Sequence, residues 1–229
     1  PEDRLKFIVK SVYDLLPTPQ NKSTWFGESG ACKQCGETGT LTHVLSGCRV
    51  ALTEGKYKWR HDKVLREIAH TVEERRRSSN SAPTDTGGGK MVFVKAGEKR
   101  RETQRPATSY LDGAGDLSMQ EDLDGKLRVP ERLAETNLRP DMILLSQSTK
   151  RMGIVELTVP SEERIEVSGE LKREKYAGIE AEGRFRGWAV RTWTVEVGCR
   201  GFPAASMATF LKDLGIGGGE RKRALRRRG

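Results

Sequence analysis

The sequence predicts an α/β or α+β protein that is preceded by a small metal-binding segment. In the second half of the chain, short runs rich in Val, Ile, Leu and Trp alternate with amphipathic runs. In the first half, four Cys and His residues lie within 17 positions. A small, polar, Pro- and Gly-rich segment separates the two halves and is typical of a linker. We therefore expect four parts, which are residues 1–77, a flexible linker over 78–90, a second unit over 91–216 and a basic tail over 217–229.

The composition excludes several classes of protein. The 229 residues carry a net charge of +9, with a mean hydropathy of −0.64. No apolar run approaches the roughly 20 residues of a membrane-spanning helix, so we expect no membrane partner. The last ten residues carry six basic side chains and one acid, which suits nucleic-acid binding or nuclear import. The chain begins at Pro1 without a signal peptide, and we expect a piece of a longer protein.

Apolar periodicity predicts the elements in order. In the first half it predicts a helix over 5–16 that Pro17 stops, a polar linker, and a helix over 60–77. In the second half it predicts strands over 91–95, 119–123, 142–146, 153–159 and 189–197, helices over 163–184 and 206–214, and loops over 99–115 and 126–139.

The cysteines predict a zinc site. Cys32, Cys35, His43 and Cys48 follow the spacing C-x2-C-x7-H-x4-C, and their sulfur and imidazole ligands are those that Zn²⁺ accepts. Four ligands close a tetrahedron, so the zinc would be structural. A loop this small has no core of its own, and metal binding would supply its folding free energy. The remaining Cys199 is expected to be a small buried hydrophobic residue.

The segment that follows the cysteines mixes cations with aromatic rings. Lys56, Tyr57, Lys58, Trp59 and Arg60 suit contacts with phosphates and exposed bases. In an equally good interpretation, Tyr57 and Trp59 pack the zinc loop onto the following helix.

Two acids predict a second metal site, one that suits a hard cation with oxygen ligands. Asp141 opens one predicted strand, and Glu156 follows after 14 residues in the middle of the next strand. A polar hairpin turn between them would bring the two carboxylates together. A lone acid in an apolar strand is costly unless a cation balances it. Mg²⁺, which prefers oxygen ligands, is the cation that two convergent carboxylates favour.

The helix predicted over 163–184 adds a lysine and a tyrosine. Lys172 and Tyr176 are spaced i,i+4 and share a helix face, from which Lys172 can reach a phosphate held at the two acids. Lys175 is a competing candidate for that role. In the alternative interpretation, both lysines belong to an ordinary solvated helix face.

The order of these motifs resembles a known family. The chain contains, in order, a C-x2-C-x7-H-x4-C knuckle, R-P-D-x14-E and K-x3-Y. This order is similar to the C-terminal region of site-specific-type non-LTR retrotransposon proteins, in which a CCHC knuckle and a restriction-like endonuclease follow the reverse transcriptase. The phrases KYKWRHDKVL, LRPDMILLS, VELTVP, KREKY and VEVGCRGF also resemble retroelement-derived proteins. The similarity runs from about Leu5 to Ile216.

This resemblance implies a restriction-endonuclease-like fold, with a mixed central sheet flanked by helices, for residues 91–216. Asp141 and Glu156 match the two acidic positions of the PD-(D/E)xK motif and would bind catalytic Mg²⁺. The common motif has its lysine two residues after the second acid, where this chain has Thr158. Family members with K-x3-Y use a helix lysine instead, which Lys172 and Tyr176 match.

The function that the resemblance implies is Mg²⁺-dependent nicking of target DNA, which primes reverse transcription of the element RNA in the nucleus. The reverse-transcriptase domain would lie upstream in the same polypeptide, and the zinc knuckle would aid nucleic-acid binding. A second interpretation is a catalytically inactive or domesticated nucleic-acid-binding module of the same origin. A third is a structural zinc adaptor that binds protein.

Overall fold

The first half of the chain is helical around an irregular loop. A computed structural model describes residues 2–81 and 109–219. Between the second and third helices, residues 27–48 form the irregular loop that carries the Cys and His residues, including a π-helical turn at His43–Gly47. The helices of this half are α1 (Glu2–Val12), α2 (Pro19–Phe26), α3 (Arg49–Thr53) and α4 (Lys58–Ser81).

The second half forms a four-stranded mixed sheet, which confirms the predicted α/β class. The strands lie in the order β1-β2-β3-β4, with β1, β2 and β3 antiparallel and β4 parallel to β3. A helix therefore crosses over between β3 and β4, as a parallel pair requires. The elements are β1 (Ser118–Glu121), β2 (Met142–Ser146), β3 (Arg151–Thr158), α5 (Ile165–Phe185, after a 3-10 turn at Glu162–Arg164), β4 (Ala189–Glu196) and α6 (Ala205–Asp213).

Helices cover both faces of the sheet. On one face, α4 and α6 share a core with β2, β3 and β4, in which Leu65 and Phe210 are fully buried. On the other face, Tyr176 and Ile179 of α5 pack on Ile154. Because both faces are covered, β3 is buried along almost its whole length and its sequence is nearly continuously apolar. Glu156 is the exception to that pattern.

One aspartate holds the turn between β2 and β3. Oδ2 of Asp116 accepts hydrogen bonds from the backbone N–H groups of Gln147 and Ser148, both at 2.9 Å. Hydrogen bonds from the hydroxyls of Ser146 and Ser148, with smaller contributions from the backbone, lower the pKa of Asp116 to about 2. Asp116, which lies outside the hairpin, therefore fixes the turn. By fixing the turn it also helps to set the register of β2 on β3.

The structure corrects three sequence predictions. The first helix ends at Val12 and not at 16, because Asp14 adopts the left-handed region (φ 53°) before Pro17 is reached. The polar segment after Pro17 contains α2, which Thr18 caps and Pro19 starts. Residues 78–81, assigned to the linker, are the last turn of α4. The predicted strand at 91–95, linker residues 82–90 and most of the basic tail lie outside the described residues.

Within residues 2–81 and 109–219, no helix combines the length and the apolarity that crossing a bilayer requires.

We expect Gly153→Ala to destabilise the protein. An added Cβ at Gly153 would lie 2.6 Å from Cζ3 of Trp193 in the neighbouring strand, so the buried ring would have to move. Overpacking of this kind costs about 1–3 kcal/mol. The matched control is Gly178→Ala at an exposed position of α5, where an added Cβ meets nothing within 4 Å; this variant should gain up to about 1 kcal/mol of helix stability. Urea unfolding measures both, and equal effects would contradict the packing argument.

Candidate functional site

The structure brings the four predicted zinc ligands together. The ligand atoms of Cys32, Cys35, His43 and Cys48 all lie within 4.8 Å of one another. Sγ of Cys32 is 3.9 Å from Sγ of Cys48, and Sγ of Cys35 is 3.2 Å from Nε2 of His43. Tetrahedral zinc places two thiolates about 3.8 Å apart, and a thiolate and an imidazole nitrogen about 3.6 Å apart. The cluster could therefore hold a metal ion such as zinc.

The backbone of the loop favours the thiolate form of Cys32. Gly36 has φ +79°, and its N–H donates to the carbonyl of Cys32 at 2.9 Å, which turns the chain back after Cys35. Backbone hydrogen bonds from Gln34 and Cys35 lower the pKa of the Cys32 thiol to about 6. At neutral pH this sulfur is a thiolate, the form that binds metal.

The two interpretations of the aromatic segment apply to different residues. The hydroxyl of Tyr57 accepts from the N–H of Cys48 at 3.3 Å and lies 3.1 Å from the carbonyl oxygen of Val44, so Tyr57 packs the loop onto α4. Trp59 is 67% exposed, with the ammonium of Lys63 5.5 Å from its ring centroid. Trp59 is thus on the surface, where a partner can reach it.

The two predicted acids lie side by side. Met142 of β2 pairs with Val155 of β3, so Asp141, one residue earlier, is opposite Glu156. Oδ2 of Asp141 accepts a hydrogen bond from the N–H of Leu157 at 2.7 Å, which fixes the carboxylate against β3. Glu156 is only 3% exposed, so its carboxylate needs partners within the protein.

Helix α5 supplies those partners. Lys172 forms an ion pair with Oε1 of Glu156, and Nζ of Lys175 lies 3.8 Å from the same oxygen. The hydroxyl of Tyr176 lies 2.8 Å from Oε2 of Glu156 and 2.9 Å from the carbonyl oxygen of Arg139. Burial, followed by the charge of Glu156, raises the pKa of Tyr176 well above its usual value, so Tyr176 stays protonated and donates. Asp141, Glu156 and the three α5 residues thus form one group, called the acid site below.

Sequence reasoning missed a histidine at the acid site. Nε2 of His61, in the first turn of α4, lies 3.5 Å from Oδ2 of Asp141, and Nδ1 lies 3.3 Å from Asp62. Burial by itself lowers the pKa of His61, but the hydrogen bonds and charges of Asp141 and Asp62 outweigh it and raise that pKa. His61 and Asp141 are 80 positions apart, so no spacing pattern links them; the signal in the sequence was the resemblance of KYKWRHDKVL.

A second buried acid was also missed. Glu196 ends β4 and pairs in register with Thr158; it is 4% exposed, and its Oε1 has no hydrogen-bond partner among the described residues. Gly169 of α5 makes room for it, because a Cβ there would lie 2.6 Å from that oxygen. The signal was available, since Glu196 stands in an apolar strand (VEV) as Glu156 does (VEL).

Cys199 lies apart from the cysteine cluster, as predicted. It is 5% exposed and a free thiol. Burial and the charge of Glu162 raise its pKa to about 11, so it stays protonated and unreactive at neutral pH.

A cavity of about 500 Å³ opens where α1, the π-helical turn, α4 and the segment after β4 meet. Apolar side chains such as Phe7, Val64 and Val159 line it together with cations, among them Lys63 and Arg200. Nε of Arg200 is buried and has no hydrogen-bond partner among the described residues. The cavity therefore offers apolar surface next to positive charge.

Comparison with known proteins identifies no family. No protein-family model matches the chain, and no curated protein matches it significantly.

We expect Cys35→Ser to release metal from the cluster. The substitution leaves three strong ligands and removes the thiolate that faces His43, so the loop loses the interaction that folds it. Zinc content per chain, measured by mass spectrometry of the native protein and by a chromogenic chelator, should fall from about one to well below one. Cys199→Ser is the matched control and should keep its zinc. Equal zinc in both variants would contradict the four-ligand site.

Proposed function

We propose that this chain is the Mg²⁺-dependent endonuclease region of a non-LTR retrotransposon protein, with a zinc knuckle that aids nucleic-acid binding. The observation that carries the proposal is the acid site. Asp141 and Glu156 converge from adjacent strands, and Lys172 and Tyr176 reach the same carboxylate from the following helix. Motifs that resemble this family therefore meet in space at one place.

The arrangement of elements supports a restriction-endonuclease-like core for the proposed nuclease. An antiparallel hairpin carries the two acids, and the β3–α5–β4 crossover carries the lysine and the tyrosine. Helices cover both faces of the mixed sheet. These are the features that the resemblance implies for that fold.

The donor atoms of the acid site suit a hard cation. Asp141 and Glu156 would hold Mg²⁺ by carboxylate oxygens, the ligands that this ion prefers. When bound, Mg²⁺ supplies Lewis-acid activation of the phosphate and of an attacking water. Hydrolysis breaks the P–O3′ bond and leaves a 3′-hydroxyl, the primer that the family's reverse transcription needs.

Backbone and side-chain groups of the protein hold the two acids in place for this chemistry. The N–H of Leu157 holds Asp141 against β3, and the hydroxyl of Tyr176 holds Glu156. The ammonium of Lys172, in contact with Glu156, lies where it can also stabilise the negative charge that develops on a phosphate. Lys175 is further from Glu156, so we assign the role to Lys172.

The surface around α4 suits the partners that the proposal requires. Exposed Trp59 beneath Lys63 can stack on a base, and the cavity combines apolar walls with cations. We therefore propose target DNA and element RNA as partners, a reverse-transcriptase domain in the same polypeptide, and a nuclear location.

Two observations favour a second candidate, an inactive nucleic-acid-binding module. Lys172 forms an ion pair with the buried Glu156, and Thr158 occupies the lysine position of the common motif. A site of this composition can serve as a stable ion pair in the core without ever cutting DNA. Direct measurement of cleavage separates the two candidates.

We expect the wild-type chain to nick supercoiled plasmid with Mg²⁺, and Asp141→Asn to slow nicking by about 10²–10³-fold. The substitution removes a carboxylate charge and leaves the shape unchanged. The exposed Asp124→Asn is the matched control and should nick at the wild-type rate. Equal rates in Asp141→Asn and wild type would refute the site. No cleavage by wild type, with DNA binding that weakens steeply as salt rises, would favour the binding module.

We expect Lys172→Met to lower the single-turnover nicking rate by about 10²-fold, because the positive charge next to the phosphate is lost. Lys175→Met, on the same helix face, should lower it less than about 5-fold, since its ammonium is 3.8 Å from Glu156 and partly solvated. Circular dichroism checks that both variants fold. The opposite ranking would transfer the role to Lys175.

A further inference from the structure

The first turn of α4 connects the cysteine loop to the acid site. On the loop side, Nη1 of Arg60 donates to the carbonyl of Leu45 at 2.7 Å, inside the π-helical turn that begins with the ligand His43. Tyr57, one turn earlier, bonds to the backbone of Cys48 and lies 3.2 Å from the carbonyl oxygen of His43. The backbone of two metal ligands therefore sets the position of this turn.

On the other side of the turn, His61 touches the acid site. Its ring lies between two carboxylates, with Nδ1 3.3 Å from Oδ1 of Asp62 and Nε2 3.5 Å from Oδ2 of Asp141. The imidazole is about three-quarters buried. Arg60, whose guanidinium bonds to the loop, and His61, whose imidazole touches the acid site, are adjacent residues of the same helical turn.

Asp141 depends on this contact for its orientation. It precedes β2, so the ladder between β2 and β3 begins only at the next residue. Its side chain is held at one oxygen, Oδ2, by the N–H of Leu157 at 2.7 Å and by His61 at 3.5 Å. Among the described residues, loss of His61 would leave the carboxylate with the hydrogen bond from Leu157, about which it could rotate.

We propose that His61 is a positioning residue that orients Asp141 for cation binding, and that the metal-loaded cysteine loop holds His61 in place. The two sites, far apart in sequence, are then coupled. Metal in the cysteine loop strengthens cation binding at Asp141 and Glu156. Cation binding at Asp141 and Glu156 rests on the proposed function, whereas the coupling does not require that DNA is cleaved.

The test is cation binding, which needs no cleavage. Electron paramagnetic resonance measures the dissociation constant of Mn²⁺ for the zinc-loaded full chain. Asp141→Asn identifies the signal that belongs to the acid site. His61→Ala should weaken that binding about 10-fold, the lower end for loss of a group that orients a metal ligand. His61→Gln, whose amide nitrogen can replace Nε2, should restore most of it.

The matched control is His70→Ala. His70 lies on the same helix, is 62% exposed at its side chain and faces Glu74, away from the acid site. It should bind Mn²⁺ as wild type does. Zinc content and the melting temperature of each variant verify that the cysteine loop and the core are intact.

Zinc removal tests the other half of the coupling. Chelation of zinc from the wild type should weaken Mn²⁺ binding as His61→Ala does, and chelation from His61→Ala should weaken it little further, because both act through one contact. Thiolate sites hold Mn²⁺ weakly, so the emptied loop adds little signal.

Equal Mn²⁺ affinity in His61→Ala and His70→Ala would overturn the proposal, as would a wild type whose Asp141 binds no Mn²⁺. Additive losses from chelation and His61→Ala would overturn the link through the loop. If Mn²⁺ binding follows His61 while no DNA is nicked, the coupling stands and the nuclease proposal fails. If DNA is nicked, His61→Ala should lower kcat and leave the KM for DNA unchanged.

Discussion

A carboxylate buried within a sheet needs compensation, and the structure around Glu156 is arranged to provide it. Its side chain is 3% exposed, in a strand whose other residues are almost all apolar. An uncompensated charge in such a place costs several kcal/mol. Lys172 and Tyr176 come from one face of α5 and meet both oxygens of the carboxylate. Glu156 therefore helps to position α5 on the sheet, together with the apolar contacts that Tyr176 and Ile179 make there.

The second constraint lies in the cysteine loop, which has almost no hydrophobic core. Its buried cluster is made of Cys32, Cys48 and Ala51 of the adjoining α3, and Leu41 is the one larger apolar side chain buried in the described part of the loop. A metal ion held by the four candidate ligands would stabilise the loop where packing stabilises the rest of the protein. Helix α4 connects this loop to the rest of the molecule. Its first turn bonds to the loop, and its next turns, through Leu65 and Ile68, belong to the same core as the sheet. The segment over 1–77 and the sheet are thus in direct contact across one continuous helix.

Predictions succeeded where the relevant residues are close in sequence. Cys32 and Cys35 share one tight turn, and Asp141 and Glu156 share one hairpin, so local spacing was sufficient to bring each pair together. Predictions failed where a helix has no apolar periodicity in its sequence. Helix α2 is short and weakly amphipathic, although Thr18, Pro19 and Gly27 mark its two ends. The last turn of α4 is polar, yet Asn80 bonds to the backbone of Leu117 and extends the helix into the predicted linker.

The sequence by itself determined the Cys and His cluster of the loop, the α/β class and the pairing of two acids, because each depends on spacing or periodicity over fewer than about 20 residues. Only the tertiary structure decided which cations reach Glu156, that Tyr57 packs while Trp59 is exposed, and that His61 contacts Asp141. These contacts join residues that are 9 to 80 positions apart. Their positions depend on how helices pack on the sheet, and that packing depends on the whole core, which no local pattern records.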